Sequence, residues 1–244
     1  MKKKKCTTAL IIGLLLAFMV SQPLFAQQIY GKPDVWFSWQ NSYNFHTKWA
    51  LKTELHARFD NYLAEPEQLL FRPSIQYKYK DQLHFAGGYT YLHTFPYGKF
   101  PLSASRPEHN IWQQAKFLQS INKVKLVHRL RLEERFQSNW DSTNKQYTFK
   151  KIHYSTRFRY RFSVQIPMDK HWFIQIFDEL WIGTGSSIGV VNFDRNWWSV
   201  GTSYKFNASL KVALSYLHQY IRHQDDLFEQ HHTLQISLVT TMPS

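Results

Sequence analysis

Residues Lys150 to Ile166 read KKIHYSTRFRYRFSVQI, and much of the chain repeats the pattern of this stretch. Every second residue belongs to a mainly apolar set, namely Ile152, Tyr154, Thr156, Phe158, Tyr160, Phe162, Val164 and Ile166. The alternate set is polar and largely basic, namely Lys151, His153, Ser155, Arg157, Arg159, Arg161, Ser163 and Gln165. Because side chains alternate across a strand with a period of two, the stretch predicts a strand with one apolar and one basic face.

The length of this strand indicates a membrane. Globular strands usually have about five or six residues, whereas a tilted strand needs roughly nine to eleven to cross a bilayer. An arginine that faces lipid at the midplane costs roughly 2–4 kcal/mol, so three would cost roughly 6–12 kcal/mol, comparable to the stability of a whole domain. Arg157, Arg159 and Arg161 are therefore predicted to face a lumen.

The N-terminus has the features of a secretory signal peptide. A basic run, Lys2 to Lys5, precedes an apolar stretch, and Leu24-Phe25-Ala26 resembles a cleavage site. We predict that residues 1–26 are the signal peptide and that residues 27–244 form one outer-membrane β-barrel domain. The only cysteine, Cys6, lies in the leader, so the mature chain must be stabilised by packing or by a closed hydrogen-bond ladder.

Composition agrees with a barrel and points to anionic partners. Aromatic residues make up 17% of the chain although its mean hydropathy is −0.45, as expected where apolar and polar residues alternate. The formal net charge is +13, of which the leader lysines contribute four. A basic chain can bind nucleic acid, anionic lipid or an anionic solute, and export argues against nucleic acid.

About eleven alternating segments follow the leader, joined alternately by short turns and longer loops. This asymmetry is typical of membrane barrels, whereas a secreted β-sandwich need not separate its connections so regularly. We predict an all-β, antiparallel up-and-down transmembrane barrel of about 10–12 strands, with ten or twelve favoured because bacterial barrels have even numbers. The residues predicted to lie outside strands are the leader Gln27–Asp34 and the loops Asn61–Glu67, Phe95–Pro107, Ser138–Phe149, Gly183–Asn192 and Arg222–Glu229.

Several motifs together resemble a known family. They are Phe71-Arg72-Pro73 with Tyr77, Gly88-Tyr89-Thr90-Tyr91, Trp112-Gln113-Gln114, the run from His128 to Arg135 (HRLRLEER), Arg157-Phe158-Arg159-Tyr160, Glu179 and Asp194-Arg195-Asn196. With these the chain resembles the outer-membrane β-barrel family catalogued as domain of unknown function 2490. The resemblance implies a barrel fold and an outer-membrane location, and it brings no established activity.

Charged residues on the polar faces form the predicted lumen lining. They are Arg58, Arg72, Glu108, Arg129, Arg131, Glu133, Arg135, Arg157, Arg159, Arg161, Glu179 and Arg195. Rings of arginine favour anions in pores, so we predict a narrow passive channel or small-solute binder with a basic, anion-favouring lumen. The alternative is a structural barrel without transport, in which arginines clamp glutamates and side chains fill the interior.

One enzymatic alternative remains, a lipid-modifying hydrolase. His153-Tyr154-Ser155 puts an imidazole beside a hydroxyl on one strand face, as nucleophilic catalysis requires. The same parity puts both side chains on the lumen side with Arg157, away from lipid, so His153 and Ser155 are weak catalytic candidates.

We predict no cofactor and no metal. Asp225, Asp226, His231 and His232 carry metal-binding groups, but they match no metal motif and are predicted to lie in or beside a solvated loop. We predict contacts with outer-membrane lipid and lipopolysaccharide through aromatic girdles, while the oligomeric state is left open. The girdle candidates are Trp36, Trp39, Trp49, Tyr91, Trp172, Trp181, Trp197 and Trp198.

Overall fold

The structure is a computed structural model that describes residues 28–98, 101–183, 192–224 and 227–243. The predicted signal peptide, residues 1–26, lies outside the described residues, and so does nearly all of the predicted loop from Gly183 to Asn192. Within the described ranges, no helix has the length and the apolar character needed to cross a bilayer.

The described residues form eleven strands that close into one barrel. The strands are β1 (Gln28–Asn44), β2 (Trp49–Asp60), β3 (Glu65–Lys80), β4 (Leu83–Thr94), β5 (Arg106–Ile121), β6 (Val124–Asp141), β7 (Gln146–Pro167), β8 (Trp172–Gly183), β9 (Asn192–Lys205), β10 (Leu210–Gln224) and β11 (Leu227–Pro243). We call the end with connections 45–48, 81–82, 122–123, 168–171 and 206–209 the turn end, and the opposite end the loop end. The predicted all-β barrel is confirmed.

The preference for ten or twelve strands was wrong, although eleven lies within the predicted range. Consecutive strands pair antiparallel, but β1 and β11 pair parallel over their whole length, from Gln28 opposite Leu227 to Asn44 opposite Pro243. Both strands run from the loop end to the turn end, which is the only way in which an odd number of up-and-down strands can close. The predicted leader Gln27–Asp34 is therefore strand from Gln28 onward.

Side-chain hydrogen bonds join the two strands of this parallel seam. Ser38 and Ser237 hydroxyl groups are 2.7 Å apart, and Trp39 Nε1 donates to Thr240 Oγ1 at 3.0 Å. Nearer the loop end, His231 Nδ1 lies 2.5 Å from Asp34 Oδ2. These contacts couple residues about two hundred positions apart in sequence, so they stabilise closure of the barrel.

Three predicted loops are shorter than expected. Strand β6 continues to Asp141 and β7 begins at Gln146, so most of the predicted loop Ser138–Phe149 is a strand hairpin. Likewise β10 reaches Gln224 and β11 begins at Leu227, and a single 3₁₀ turn at Asn61–Leu63 precedes β3. The backbone ladder continues in these segments although apolar alternation fades, because the ladder itself does not depend on side chains.

The two faces of the barrel differ as the opening stretch predicts. Phe158 and Tyr160 are 36% and 37% exposed on the outside, whereas Arg157 and Arg159 are 7% and 3% exposed on the inside. Large apolar side chains are also exposed on the outer faces of other strands, for example Leu55 on β2 and Leu238 on β11. Such an apolar exterior around a polar interior is typical of membrane barrels.

Candidate functional site in the barrel interior

The interior is dominated by arginines that face each other across neighbouring strands. In the β6–β7 register, Arg129 lies opposite Arg161 and Arg131 lies opposite Arg159. Like charges directly opposite one another destabilise a strand pair. These pairs can therefore be accommodated only where carboxylates lie between the guanidinium groups.

Glu179 on β8 supplies the first of these carboxylates. It is completely buried and accepts hydrogen bonds from three arginines on two strands. Arg159 Nε and Arg161 Nε donate at 2.9 Å each, and Arg129 Nη2 also donates to this carboxylate. Charge-assisted bonds of this kind are roughly twice as strong as neutral ones, so Glu179 draws three positive charges together.

Glu133 on β6 supplies the second carboxylate. Arg157 donates to its Oε2 through Nε at 2.9 Å and Nη2 at 2.6 Å, and Arg159 Nη1 donates to Oε1 at 2.6 Å. Arg131 lies 3.7 Å from the same carboxylate and donates to Gln114 Oε1 at 2.8 and 3.1 Å. Because Arg159 contacts Glu133 and Glu179, it joins the two groups into one network.

This arginine–glutamate network carries a local excess of positive charge. Its members are Arg129, Arg131, Glu133, Arg157, Arg159, Arg161 and Glu179. Five guanidinium groups face two carboxylates, which leaves three more positive than negative charges. Arg157 also lies 3.3 Å from the carboxylate of Asp194. This third carboxylate brings a further cation with it, because Arg195 lies 3.1 Å from Asp194. The excess therefore persists when these neighbours are included.

Aromatic rings support the guanidinium groups of the network. The Cζ of Arg159 lies 3.5 Å from the centre of the Trp181 ring, and that of Arg161 lies 3.9 Å from the Phe177 ring. Arg131 stacks in the same way on Trp112 at 4.0 Å. An arginine over an aromatic face gains cation–π attraction, which increases when the pair is shielded from water.

Three tryptophans and a leucine pack together inside the barrel, and we call this cluster the aromatic layer; it consists of Trp36, Trp181 and Trp197 with Leu217. The Trp181 and Trp197 rings are 4.4 Å apart, and the Trp36 and Trp197 rings are 5.6 Å apart. The predicted girdle positions of these three tryptophans were wrong. These three tryptophans occupy the strand positions whose side chains face the interior. Their buried indoles fill part of the space that a narrow barrel encloses.

Between the aromatic layer and the turn end lies a cavity of ≈ 360 Å³, which we call the basic chamber. Lys125 and Lys211 lie at the turn-end starts of their strands, and Trp36, Trp181 and Trp197 form the inner wall. Eight cationic side chains line the chamber, namely Arg58, Arg72, Lys116, Lys125, Arg129, Arg159, Arg161 and Lys211. Glu54 is the one carboxylate among the described lining residues, so the chamber has a strongly positive wall.

Neutral polar groups form another part of the chamber wall. Serines of β9, β10 and β11 line it, namely Ser199, Ser215 and Ser237. Gln40, Gln165, Gln175 and Gln235 add amide groups. Hydroxyl and amide groups can donate and accept hydrogen bonds, so this wall can solvate the uncharged parts of a solute.

The predicted lumen residues outside the network also point inward. Arg135 donates to Glu108 through two nitrogens at 2.8 and 2.9 Å. Arg72 lies 3.0 Å from Glu54. Arg58 donates to Gln68 and stacks on Trp36 at 4.0 Å. All twelve predicted residues are thus buried or half-buried in the interior, most of them in ion pairs.

The weak catalytic and metal candidates are not assembled into sites. His153 is exposed, while the Ser155 hydroxyl is buried and has no hydrogen-bond partner within the described ranges. His231 points inward to Asp34, whereas His232 points outward to Tyr216. Asp225 and Asp226 lie outside the described residues, and in the described part of the chain no group of three or more metal-binding side chains is arranged to hold an ion.

Sequence reasoning missed the aromatic layer and part of the chamber. Trp36, Trp181 and Trp197 share the parity of lumen residues in their own strands, for example Trp181 with Glu179. Lys116 shares the parity of Trp112 and Gln114 in β5 in the same way. These residues could have been predicted to face the interior by assigning every tryptophan and lysine to a face from the alternation of side chains along its strand.

Fold and interior together define a closed β-barrel with an apolar exterior and a charged interior. The chain belongs to the family described as "Protein of unknown function (DUF2490)", which matches residues 34–230. Among solved structures, the chain is similar to "NanC porin structure in rhombohedral crystal form", with 11% identity, 81% of this chain and 94% of that chain covered, and a TM-score of 0.47. No curated protein matches the chain.

Proposed function

We propose that the protein is an outer-membrane barrel that binds a small anionic solute in the basic chamber. The observation that carries this proposal is the lining of the chamber, where eight cationic side chains meet one carboxylate among the described residues. The volume of ≈ 360 Å³ falls within the range of about 300–1,000 Å³ that is common for small-molecule pockets. Fixed rings of basic side chains attract anions and repel cations.

The outer-membrane placement is supported by the outer face of the barrel. Exposed apolar side chains surround it, including Phe37, Ile75, Leu132 and Leu234. Trp49 and Trp172 lie at the turn-end starts of their strands and are exposed, as aromatic girdles require. In this proposal the barrel contacts membrane lipid and lipopolysaccharide through this surface and exchanges solute at the turn end.

The proposal predicts that chamber lysines set anion affinity. We expect Lys116→Gln combined with Lys211→Gln to weaken binding of inorganic phosphate by at least about tenfold, because each charged contact contributes roughly 1.5–3 kcal/mol. Titration calorimetry on the refolded barrel in detergent measures the affinity directly. Lys78→Gln is the control, since Lys78 lies at the turn end outside the chamber and pairs with Asp81.

Saturable phosphate binding that the double variant leaves unchanged would contradict the proposal. Inorganic phosphate is only a probe, so sulfate and a small carboxylate should be titrated in the same experiment. All three should bind more weakly as ionic strength rises, because salt screens the attraction between the chamber and an anion.

A closed structural barrel is the second candidate function. It is favoured by the aromatic layer and by the buried network, since Trp36, Trp181 and Trp197 are at most 5% exposed. Interiors of small barrels can be filled by side chains altogether. A barrel of this kind would show neither saturable anion binding nor conductance in planar bilayers, whereas a narrow channel would conduct and favour anions. We propose no enzymatic role, because His153 and Ser155 do not form a pair that could activate a nucleophile.

A further inference from the structure

Four outward-facing residues form a row across neighbouring strands, which we call the outer polar row. Asp178 on β8 lies opposite Trp198 on β9, Trp198 lies opposite His218 on β10, and His218 lies opposite His232 on β11. Their outward direction follows from strand alternation, because the sequence neighbours Glu179, Trp197, Leu217 and His231 are all buried inside. None of these four outward residues belongs to the basic chamber.

Asp178 lies in the middle of an apolar outer surface. On its own strand the next outward residues are Ile176 and Leu180, and its partner on β7 is Phe162. Asn196 Nδ2 donates to its two oxygens at 3.1 and 3.3 Å. No cationic side chain in the described ranges pairs with it. Exposing an ionisable side chain to lipid within a membrane-spanning segment costs free energy unless the side chain has a polar partner.

Imidazole groups lie on the other side of Trp198. The His218 ring stacks 5.4 Å from the Trp198 ring and lies 5.5 Å from the His232 ring. His232 Nδ1 contacts the Tyr216 hydroxyl at 2.7 Å. His218 Nδ1 is buried and has no hydrogen-bond partner among the described residues. The same imidazole forms a side-chain hydrogen bond with Gln230 on β11.

The arrangement is self-complementary about Trp198. Asp178 and His218 lie one strand away from Trp198 on opposite sides, which places each about 4.8 Å from β9. A two-fold axis along the membrane normal that passes near Trp198 would place Asp178 of one copy on the same side of the axis as His218 of the other copy, and it would do so twice. Two-fold interfaces use the same patch on both subunits and require this kind of complementarity.

We propose that the outer polar row is the interface through which two copies of this chain associate in the membrane. Each Asp178 then accepts a hydrogen bond from the His218 imidazole of the second copy, and the two Trp198 rings pack near the axis. Association removes a carboxylate and an imidazole from lipid, where no water compensates them. The proposal is independent of anion binding in the chamber.

Crosslinking through engineered cysteines tests this proposal. The mature chain provides a cysteine-free background, because Cys6 is the only cysteine. Val200→Cys places a thiol on the outer face of β9 next to the proposed axis, and Ile75→Cys is the matched control on β3 across the barrel. Val200 and Ile75 are similarly exposed, at 43% and 51%. Both variants are reconstituted in phospholipid vesicles at equal protein-to-lipid ratio and treated with a short bis-maleimide.

We expect a crosslinked dimer with Val200→Cys and none above background with Ile75→Cys. In the Val200→Cys background, Asp178→His and His218→Asp should each abolish the dimer, because each single change brings like groups together. The double exchange should restore it, while circular dichroism and heat-dependent gel mobility report that each variant is folded.

Equal crosslinking of the two cysteine variants would overturn the proposal. It would also fail if the single exchanges left the dimer unchanged, or if the double exchange did not restore it. Crosslinking of Val200→Cys in intact outer membranes to a cysteine of a different protein, in place of a second copy, would likewise overturn it.

Discussion

Glu179 is the residue on which the arginine–glutamate network most depends. It is fully buried and accepts hydrogen bonds from Arg129, Arg159 and Arg161. We expect Glu179→Gln to lower the free energy of unfolding by about 3–5 kcal/mol, because removing one partner leaves buried charges uncompensated. Urea unfolding of the barrel in lipid vesicles measures this change.

Asp81→Asn is the control for that experiment. Asp81 also pairs with a cation, Lys78 at 2.8 Å, but it lies on an exposed turn. Exposed pairs contribute little to stability, so this variant should unfold like the wild type. Equal destabilisation by the two substitutions would mean that the interior of the barrel solvates Glu179 as water does.

Two buried tryptophans separate the contribution of a hydrogen bond from that of an aromatic ring. Trp112 and Trp181 each lie under an arginine, but Trp112 Nε1 donates to Thr90 at 3.1 Å whereas Trp181 Nε1 has no partner in the described chain. We expect Trp112→Phe to cost about 1 kcal/mol more than Trp181→Phe, the net value of one hydrogen bond. The difference in urea unfolding is the measurement, and a larger loss with Trp181→Phe would contradict this view.

Glycine at one strand contact determines how closely β9 and β10 approach. A Cβ built on Gly201 would lie 2.6 Å from the Leu214 carbonyl oxygen and 2.7 Å from the Ser215 Cα. Backbone atoms cannot move aside as a flexible side chain can, so we expect Gly201→Ala to destabilise the barrel by about 1–3 kcal/mol. Gly87→Ala is the control, because its added Cβ would lie 3.9 Å from the nearest atom. Thermal unfolding followed by circular dichroism should separate the two variants, and equal midpoints would contradict the close approach.

Strand alternation made most of the elements predictable, and its loss explains the errors. Between Ser138 and Phe149 few apolar residues alternate, since a hairpin that extends beyond the apolar band has no lipid-facing side. The strand ladder continues there without a side-chain signal. The parallel pairing of β1 with β11 has no recognisable pattern in the local sequence either, because it joins residues about two hundred positions apart, such as Gln28 and Leu227.

The sequence predicts which side chains face the interior, but it does not predict which of them contact each other. Parity placed Arg159 and Glu179 on the same face of neighbouring strands, yet it could not show that Arg159 joins two carboxylates. Which arginine reaches which carboxylate depends on register and on bulges. For example, the register shift after Trp181 lets the consecutive residues Asp194 and Arg195 both turn inward.

At the scale of the whole molecule, we expect the aromatic layer to limit the passage of solute between the two ends of the barrel. The ring centres of Trp181 and Trp197 lie 4.4 Å apart inside the barrel, and both rings line the basic chamber. We expect the wild-type barrel to conduct little in planar bilayers. Trp181→Ala combined with Trp197→Ala should produce a reproducible conductance that favours anions, because removing two indoles opens space beside the excess arginines.

Matched substitutions on the outer face control for a general loss of stability. Trp39→Ala combined with Trp172→Ala also removes two indoles, but from outward-facing positions on β1 and β8, and it should leave conductance at the wild-type level. A wild-type conductance as large as that of the interior variant would show that solute passes the aromatic layer without its removal. An interior variant that conducts without favouring anions would instead mean that the arginines, paired with Glu133 and Glu179, leave no effective positive potential along the path.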